Sequence, residues 1–254
     1  MDFDINTYLK LLTAIKNKGY SFQTFQEFIK EPMERTVVLR HDVDLKPLNS
    51  LAFARIQAAK GIKGTFYFRA VKESWDDDII KEIHSLGHEI GYHYECLTTT
   101  NGNLEHAILD FKENLKVLRK LAPVQTICMH GSPMSKYDSK DLWKSFDYKD
   151  LDLIAEPYFD VDFYKTLYLT DTGRTWNNKK YSVRDHIKTD YEFQFTSTKQ
   201  IINAIDHDEL PHQIMFTFHP QRWTNNKFSW LKEFILQNVK NQIKRFLVNR
   251  KVKD

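Results

Sequence analysis

The fold class is decided by a stretch near the N-terminus that reads TVVLRHDVD, residues 36–44. Its first four residues are β-branched or apolar, and charged residues follow them directly. A short apolar run bounded by polar residues is typical of a buried strand. Further runs of the same type follow along the chain, and we predict strands at residues 36–39, 65–68, 89–92, 124–129, 153–155, 167–169 and 214–218.

Amphipathic segments lie between most of these runs and predict helices at residues 48–60, 77–86, 104–121, 139–146 and 197–205. Strands that alternate with helices favour βα units and a mostly parallel sheet. We therefore predict an α/β fold, a distorted or incomplete (β/α) barrel with about seven parallel strands.

Helices are also predicted at both ends of the chain. One ends at Gly19, a second short one follows Ser21, and a long one covers about residues 229–248. We predict a single domain, with a helical extension at residues 1–35, a barrel core at 36–224 and a C-terminal helix at 225–254.

Composition limits the functional class. The chain has 254 residues and a net charge of +3. Its 41% of hydrophobic and 14% of aromatic residues suffice for a packed core and exclude a disordered chain. A near-neutral chain argues against a nucleic-acid partner. No apolar run approaches the roughly 18 residues of a membrane span, and the acidic start MDFD is unlike a signal peptide. With only Cys96 and Cys128, we expect no disulfide and a cytoplasmic protein.

Polar, ionisable and aromatic residues follow nearly every predicted strand directly. In a (β/α) barrel the carboxyl ends of the strands share one face, and active sites form there. The alternative is that strand ends simply meet water, but that does not explain why acidic, histidine and tryptophan residues collect at the same edge. These residues are 40–44, 69, 93–95, 130–133, 156–157, 171–176 and 219–223.

Two carboxylates follow the first of these strands. Asp42 and Asp44 lie two positions apart, so strand periodicity points both side chains into the barrel mouth. Two carboxylates that close repel each other, and a cation is expected to neutralise one of them. That cation is either a metal or Arg40 on the same side, and an ion-paired turn is the plainer alternative.

Histidines at other strand ends extend this pair. One carboxylate with one or two imidazoles is typical of a hydrolytic zinc site, and we expect Asp44 and His130 to lie beside His93, with Glu95 open as a further group on the same side. His219 ends the last strand, which lies beside the first in a closed barrel. There it would lie opposite Asp42, and a histidine acid opposite a carboxylate base is the arrangement that acyl hydrolysis needs. A structural role is the alternative for a single histidine in such a position.

Aromatic and basic residues at the same edge suggest how a sugar would be bound. Trp176 and Trp223 are candidates, with Arg174 beside them, because aromatic faces suit sugar rings. Either indole could instead plug the barrel mouth. Arg40 and Glu95 are further candidates for substrate contact. Phosphate-loop, dinucleotide and nucleophile-elbow motifs are absent, which argues against nucleotide-driven and serine-hydrolase chemistry.

Three motifs, in order along the chain, resemble those of the polysaccharide deacetylases, carbohydrate esterase family 4. LRHDVD, residues 39–44, resembles the first motif, Thr-Phe-Asp-Asp-Gly or a variant with one residue between the acids. GHEIGYH, residues 87–93, resembles the second, Gly-His-Glu-Ile-Gly-x-His. TFHP, residues 217–220, resembles the final motif, which carries a histidine acid. The resemblance runs from about residue 36 to residue 223.

The resemblance implies an incomplete (β/α) barrel that holds a divalent metal, with zinc preferred and cobalt, nickel or iron as alternatives. Asp42 resembles the general base of the family, Asp44 and His93 resemble metal ligands, and His219 resembles the acid. The second metal histidine of the family lies four residues after the first, and Leu97 stands there in this chain.

Two departures from the family pattern need a substitute. His130 and Glu95 are the candidates for the missing ligand, and we prefer His130 because a neutral imidazole restores the balance of one acid and two histidines. The arginine that pairs with the base in the family is also missing, and Arg40 or Arg69 is expected to replace it.

The resemblance implies a metal-dependent hydrolase of non-peptide C–N bonds, which removes the N-acetyl or O-acetyl group of a sugar or sugar conjugate. In the cytoplasm the substrate would be a small-molecule, nucleotide-linked or lipid-linked acetylated sugar in surface-polysaccharide synthesis. One alternative is a catalytically inactive carbohydrate-binding relative, which the missing histidine and arginine favour. Another is a metal-dependent hydrolase of a non-sugar C–N bond, such as a cyclic amide.

Overall fold

A parallel sheet of seven strands forms the centre of the fold. The computed structural model describes residues 1–176 and 187–251, with side chains as far as residue 242. The strands span Ser21–Gln23 (β1), Thr36–Val43 (β2), Thr65–Phe68 (β3), Glu89–Tyr94 (β4), Ile127–Met129 (β5), Thr166–Thr170 (β6) and Gln213–Phe218 (β7). Their order is β5-β4-β3-β2-β7-β6, and β1 pairs with the first residues of β2.

The central strands β2 and β7 determine which residues meet. They pair along most of their length, so the last strand of the chain lies beside its first long one. On the other side of β2, Tyr67 of β3 lies level with Asp42, and further along the sheet His93 of β4 lies level with Cys128 of β5. Because all the strands are parallel, their carboxyl ends meet at one edge. The predicted incomplete (β/α) barrel is confirmed.

Helices flank the sheet and connect its strands. Asp4 accepts a hydrogen bond from the Thr7 amide at the start of the first helix, and Thr24 forms a capping box with Glu27 at the start of the second. The α-helices span Ile5–Asn17 (α1), Phe25–Lys30 (α2), Pro47–Ala58 (α3), Asp77–Ser85 (α4), Cys96–Thr99 (α5), Leu104–Leu118 (α6), Pro157–Asp160 (α7), Thr198–Asp206 (α8) and Lys227–Lys251 (α9). Shorter 3₁₀ turns span Ser139–Lys144, Tyr148–Leu151 and Pro220–Arg222.

Alternate strand residues face two apolar layers. The outward layer packs against the helices and includes Val37, Leu39, Phe66, Phe216 and Phe218. The inward layer fills the barrel and is smaller, and α2 contributes Phe25 and Phe28 to it at the amino-terminal end. Its strand residues are Val38, Tyr67, Cys128, Tyr168 and Met215.

His41 shows that alternate residues of β2 point to opposite layers. Its imidazole points outward to α3, where the Gln57 amide lies 2.8 Å from its Nε2. Burial in this layer lowers the pKa of His41 to about 3, so the ring is neutral. His41 thus packs against the neighbouring helix α3, whereas Arg40 and Asp42 point into the barrel.

Three predicted elements differ from those observed. Residues 153–155 provide only one bridge, from Ala155 to Thr126, because Glu156 caps the helical turn α7 immediately afterwards. The predicted short helix after Ser21 is present as α2 but begins only at Phe25, because residues Ser21–Gln23 pair with β2 as β1, where the Ser21 amide donates to the Arg35 carbonyl at 3.0 Å. Residues 139–144 form a 3₁₀ turn instead of an α-helix.

Cys96 and Cys128 are both buried, and no disulfide joins them, in agreement with the prediction. Across the described residues, no helix combines the length and the apolar character needed to cross a membrane. The predicted domain division and the cytoplasmic location stay predictions, and residues 252–254 of the predicted C-terminal segment lie outside the described residues.

Gly91 should be required by the close packing inside the barrel. A Cβ atom added there would overlap the Tyr67 ring and lie 3.0 Å from the Thr126 carbonyl oxygen. We expect Gly91→Ala to lower the free energy of unfolding by about 1–3 kcal/mol through overpacking, as measured by denaturant titration. Gly131→Ala is the matched control, because an added Cβ there meets nothing within 4 Å. Equal stability losses in the two variants would contradict this prediction.

Glu156 is a buried carboxyl group that supports α7 and β5. Its Oε1 accepts a hydrogen bond from the Met129 amide at 3.0 Å, and its Oε2 accepts one from the Tyr158 amide at 2.5 Å. Burial raises the pKa of Glu156 to about 7 and outweighs these hydrogen bonds. The folded protein therefore holds a proton here between about pH 4.5 and pH 7, where the unfolded chain has released it.

This raised pKa predicts a loss of stability with rising pH. The contribution is fully present below the unfolded pKa and disappears as the pH rises through about 7. A shift from 4.5 to about 7 corresponds to about 3 kcal/mol in the free energy of unfolding. We expect Glu156→Gln to remove this pH dependence, measured by denaturant titration between about pH 5 and pH 8. Parallel pH profiles for the variant and the wild type would argue against it.

Candidate active site

Four strand ends bring the predicted site residues together. β2 carries Asp42 on its inward side and Asp44 follows it, His93 lies on β4, His130 follows β5 and His219 follows β7. Asp42 and His93 are only 4% and 2% exposed, so their environment is the interior of the barrel mouth. The structure thus places the five predicted catalytic and metal-ligating residues around one centre.

The candidate metal ligands form a tight triangle. Oδ1 of Asp44 lies 3.7 Å from Nε2 of His93 and 3.6 Å from Nε2 of His130, and these three residues form a group that could hold a metal ion. Tetrahedral zinc with bonds of about 2.0–2.1 Å separates its ligand atoms by about 3.3–3.4 Å. Oδ1 of Asp44 is buried and has no hydrogen-bond partner among the described residues. The donor set therefore fits a divalent metal.

Both imidazoles are oriented through their other ring nitrogen. Nδ1 of His93 lies 2.9 Å from the Cys128 carbonyl oxygen, which only accepts, so Nδ1 carries the hydrogen and Nε2 presents its lone pair. Nδ1 of His130 lies 2.8 Å from Oε2 of Glu95. Burial lowers the pKa of His93 to about 4 despite the nearby Asp42, so this ring is neutral at ordinary pH.

Asp42 is an ionised carboxylate in a buried ion pair. Nε and Nη2 of Arg40 donate to its two oxygens at 2.8 and 2.7 Å. Burial alone would raise the pKa of Asp42, but the Arg40 guanidinium outweighs burial and holds it well below its usual range. Of the two candidate arginines, Arg40 rather than Arg69 lies against Asp42. Arg40 was also predicted to contact substrate, and its side chain is only 2% exposed and donates twice to Asp42.

A second group of possible ligands shares His93. Asp42, His93 and Cys128 also lie close enough to hold an ion. Both oxygens of Asp42 already accept hydrogen bonds from Arg40, whereas Oδ1 of Asp44 accepts none in the described part of the chain. The triangle of Asp44, His93 and His130 is therefore the better metal site.

His219 is held by a fully buried carboxylate, Asp171. Nδ1 of His219 lies 2.5 Å from Oδ1 of Asp171, and the indole N–H of Trp223 donates to Oδ2 at 2.6 Å. Burial opposes ionisation of Asp171, but His219 and Arg222 lower its pKa below the usual range. Nε2 of His219 then faces the metal triangle, 3.8 Å from Oδ2 of Asp44.

Asp171 and Gln221 belong to the site, but sequence reasoning did not single them out. Nε2 of Gln221 donates to Oδ2 of Asp44 at 3.1 Å, and its Oε1 is buried without a partner among the described residues. Both residues lie in polar runs that follow strands, which was the available signal. Their positions in those runs did not reveal which of them point inward.

The structure places three predicted substrate contacts in packed positions, with both indoles in the outward apolar cluster and Arg174 against Trp230. Trp176 is 3% exposed and packs against Phe216 and Phe218 on the outward side of the sheet. Trp223 is buried in the same cluster and bonds to Asp171. Arg174 donates to the Trp230 carbonyl at 3.0 Å and stacks on the Trp230 ring.

Glu95 was also predicted as a substrate contact, and both of its oxygens are already engaged. Oε1 accepts from Nε and Nη2 of Arg69 at 2.8 and 2.5 Å. Oε2 lies 2.8 Å from Nδ1 of His130 and accepts from Oγ of Ser132 at 2.9 Å. Burial would raise the pKa of Glu95, but His130 and Arg69 lower it to about 2. Glu95 therefore supports His130.

Comparison with known proteins gives structural neighbours only. No protein-family model matches the chain, and no match was found among curated proteins. The structure is similar to a family 4 carbohydrate esterase from Bacillus anthracis, with 11% identity and a TM-score of 0.42 over 91% of this chain and 84% of that one. A Streptococcus mutans CE4 esterase aligns with 13% identity and a TM-score of 0.46 over 92% and 91%.

A CE4 family pseudoenzyme from Bacillus anthracis is also similar, with 13% identity and a TM-score of 0.43, covering 82% of this chain and 61% of its own. These neighbours are from the family that the sequence motifs resemble. Identities and TM-scores this low carry no inference about activity, so function has to be judged from the geometry of the site.

Proposed function

We propose that the protein is a metal-dependent deacetylase that hydrolyses the N-acetyl or O-acetyl group of a sugar or sugar conjugate. One observation carries the proposal. The triangle of Asp44, His93 and His130 lies between an ionised Asp42 and a histidine, His219, that is backed by its own carboxylate. Metal-assisted acyl hydrolysis needs these parts in this arrangement.

Asp44, His93 and His130 would hold the metal, with zinc preferred over cobalt, nickel or iron. A divalent cation there supplies Lewis-acid polarisation of a carbonyl and lowers the pKa of water. The neutral His93 and the unpartnered oxygen of Asp44 support this assignment, because both are prepared as ligands without loss of an existing hydrogen bond.

Asp42 and His219 have opposite parts in proton transfer. Asp42 would accept a proton from the attacking water, and the Arg40 guanidinium keeps it ionised for that purpose. His219 would donate a proton to the leaving nitrogen or oxygen from Nε2. Asp171 stabilises the charged imidazolium through Nδ1 and fixes the ring orientation.

The sugar part of the proposal rests on the motif resemblance rather than on an aromatic platform. TFHP, residues 217–220, and GHEIGYH, residues 87–93, resemble motifs of polysaccharide deacetylases. We propose a small-molecule, nucleotide-linked or lipid-linked acetylated sugar of surface-polysaccharide synthesis as substrate, handled in the cytoplasm.

The alternative of an inactive sugar-binding protein has less support. The two tryptophans that would bind the sugar are buried, and His130 and Arg40 can take the places of the missing histidine and arginine. A panel that includes cyclic amides tests the remaining alternative, a non-sugar C–N bond.

Metal content tests the site directly. We expect about one equivalent of zinc in the wild type, measured by mass spectrometry of protein purified without chelator or His-tag, since the three donors match one tetrahedral site. Asp44→Ala should bind none, because it removes the ligand oxygen that faces both imidazoles. Asp208→Ala is the matched control, because this exposed carboxylate pairs with Lys18 and Arg35. A wild type that takes up no zinc even after soaking would contradict the proposal.

Acetate release tests the two proton-transfer roles. On an N-acetylated sugar, Asp42→Asn and His219→Ala should each lose about 10²–10⁴-fold in turnover while keeping the metal. On an activated aryl acetate, whose leaving group needs no proton, His219→Ala should lose far less than Asp42→Asn. Equal losses of His219→Ala on the two substrates would argue against its role as the acid. Failure of the zinc- or cobalt-loaded wild type on the whole substrate panel would refute the deacetylase assignment.

A further inference from the structure

The two candidate imidazole ligands have unequal support from the fold. His93 lies within β4, and the carbonyl of its strand partner Cys128 holds its Nδ1. His130 lies after the end of β5, in a loop, and its side chain is 17% exposed. The sheet therefore fixes the first ligand, whereas other side chains must fix the second.

Side-chain contacts of His130 converge on one carboxylate. Nδ1 of His130 lies 2.8 Å from Oε2 of Glu95 and 3.0 Å from Oγ of Ser132. Ser132 donates to the same Oε2 at 2.9 Å, and its backbone φ of +32° lies in the left-handed region. Glu95 thus holds both the imidazole and the turn that carries it.

Glu95 is itself fixed to the other side of the site. Arg69 donates twice to Oε1 of Glu95, and its Nη1 donates to the Asp44 backbone carbonyl at 3.2 Å. A continuous chain of contacts therefore connects His130, through Glu95 and Arg69, to Asp44, which carries the other candidate ligand oxygen. This network sets the distance between the two ligands before any ion is present.

We propose that Glu95 is a positioning residue that holds His130 as a metal ligand, and that the Arg69–Glu95 pair replaces the rigidity which a helix-borne ligand at position 97 would have. Leu97 itself packs in the outward apolar core and is 3% exposed. The proposal rests on the proposed function, because it takes zinc as the bound ion. A carboxylate behind a metal-ligating histidine fixes the tautomer and raises the basicity of the ligand, and its loss typically weakens metal binding by 10–100-fold.

A double-mutant cycle on zinc affinity tests this role. Zinc alone is the probe, and its dissociation constant is measured by competition with a chromophoric chelator. Glu95→Gln should weaken zinc binding about 10–100-fold, and Ser132→Ala should weaken it less. Because Glu95 acts through His130, adding Glu95→Gln to His130→Ala should cause no further loss. Glu82→Gln is the matched control, since this partly exposed glutamate pairs with Arg55 away from the site.

Two results would overturn the proposal. Additive losses in the cycle would mean that Glu95 binds the metal itself, and an unchanged affinity in Glu95→Gln would mean that it has no effect on His130. If the Glu95→Gln loss appears but no acetate is released from any substrate, the deacetylase assignment fails and the positioning role stands. If acetate is released and Glu95→Gln binds zinc like the wild type, the positioning role fails alone.

A measurement on the metal-free proteins distinguishes the positioning role of Glu95 from misfolding of the Glu95→Gln variant. At about pH 9, above the ordinary histidine pKa, ¹⁵N NMR of labelled histidine should show His130 with its hydrogen on Nδ1 in the wild type. In Glu95→Gln this tautomer should give way to a mixture, while His93 should keep its own tautomer because a backbone carbonyl fixes it. The same His130 tautomer in both proteins would count against the role of Glu95.

Discussion

The ion pair between Arg40 and Asp42 is the interaction on which the barrel interior depends. Both side chains point inward from β2 and are almost completely enclosed. Either charge alone would lose several kcal/mol of hydration there, but the two-point contact satisfies both oxygens of the carboxylate. Residues two apart on a strand lie on the same side, so one strand supplies both an ionised carboxylate and its counterion. No loop has to be placed correctly for this pair to form.

The same requirement for partners explains why a metal fits at Asp44. Asp171 is surrounded by His219, Arg222 and Trp223, and Glu95 is held by Arg69 and His130. Among the carboxylates of the site, Asp44 has one oxygen that accepts from Gln221 and one that accepts nothing from the described residues. A buried acceptor without a partner is unfavourable. A cation between that oxygen and the two imidazole nitrogens would satisfy all three ligand atoms.

Strand periodicity and parallel topology predicted the barrel and the inward direction of Asp42, because both follow from short local patterns. The positions of Trp176, Trp223 and Arg174 depend on how loops fold, and the indoles bury more apolar surface beside Phe216 and Phe218 than they would at the mouth. The sequence also left open which arginine pairs with Asp42, since either Arg40 or Arg69 could have done so. That choice depends on side-chain geometry across three strands, which no sequence period encodes.

The support of His130 shows how side chains can fix a candidate ligand that lies in a loop, whereas position 97 lies in the short helix α5. Ordering a loop side chain only when the ion arrives would subtract conformational entropy from the binding free energy. Glu95 and Ser132 order the imidazole beforehand, and Arg69 fixes Glu95 to the backbone of Asp44. The distance between the two ligands then depends on a charged network rather than on a helical repeat. Leu97, which lies on α5, packs in the apolar core instead.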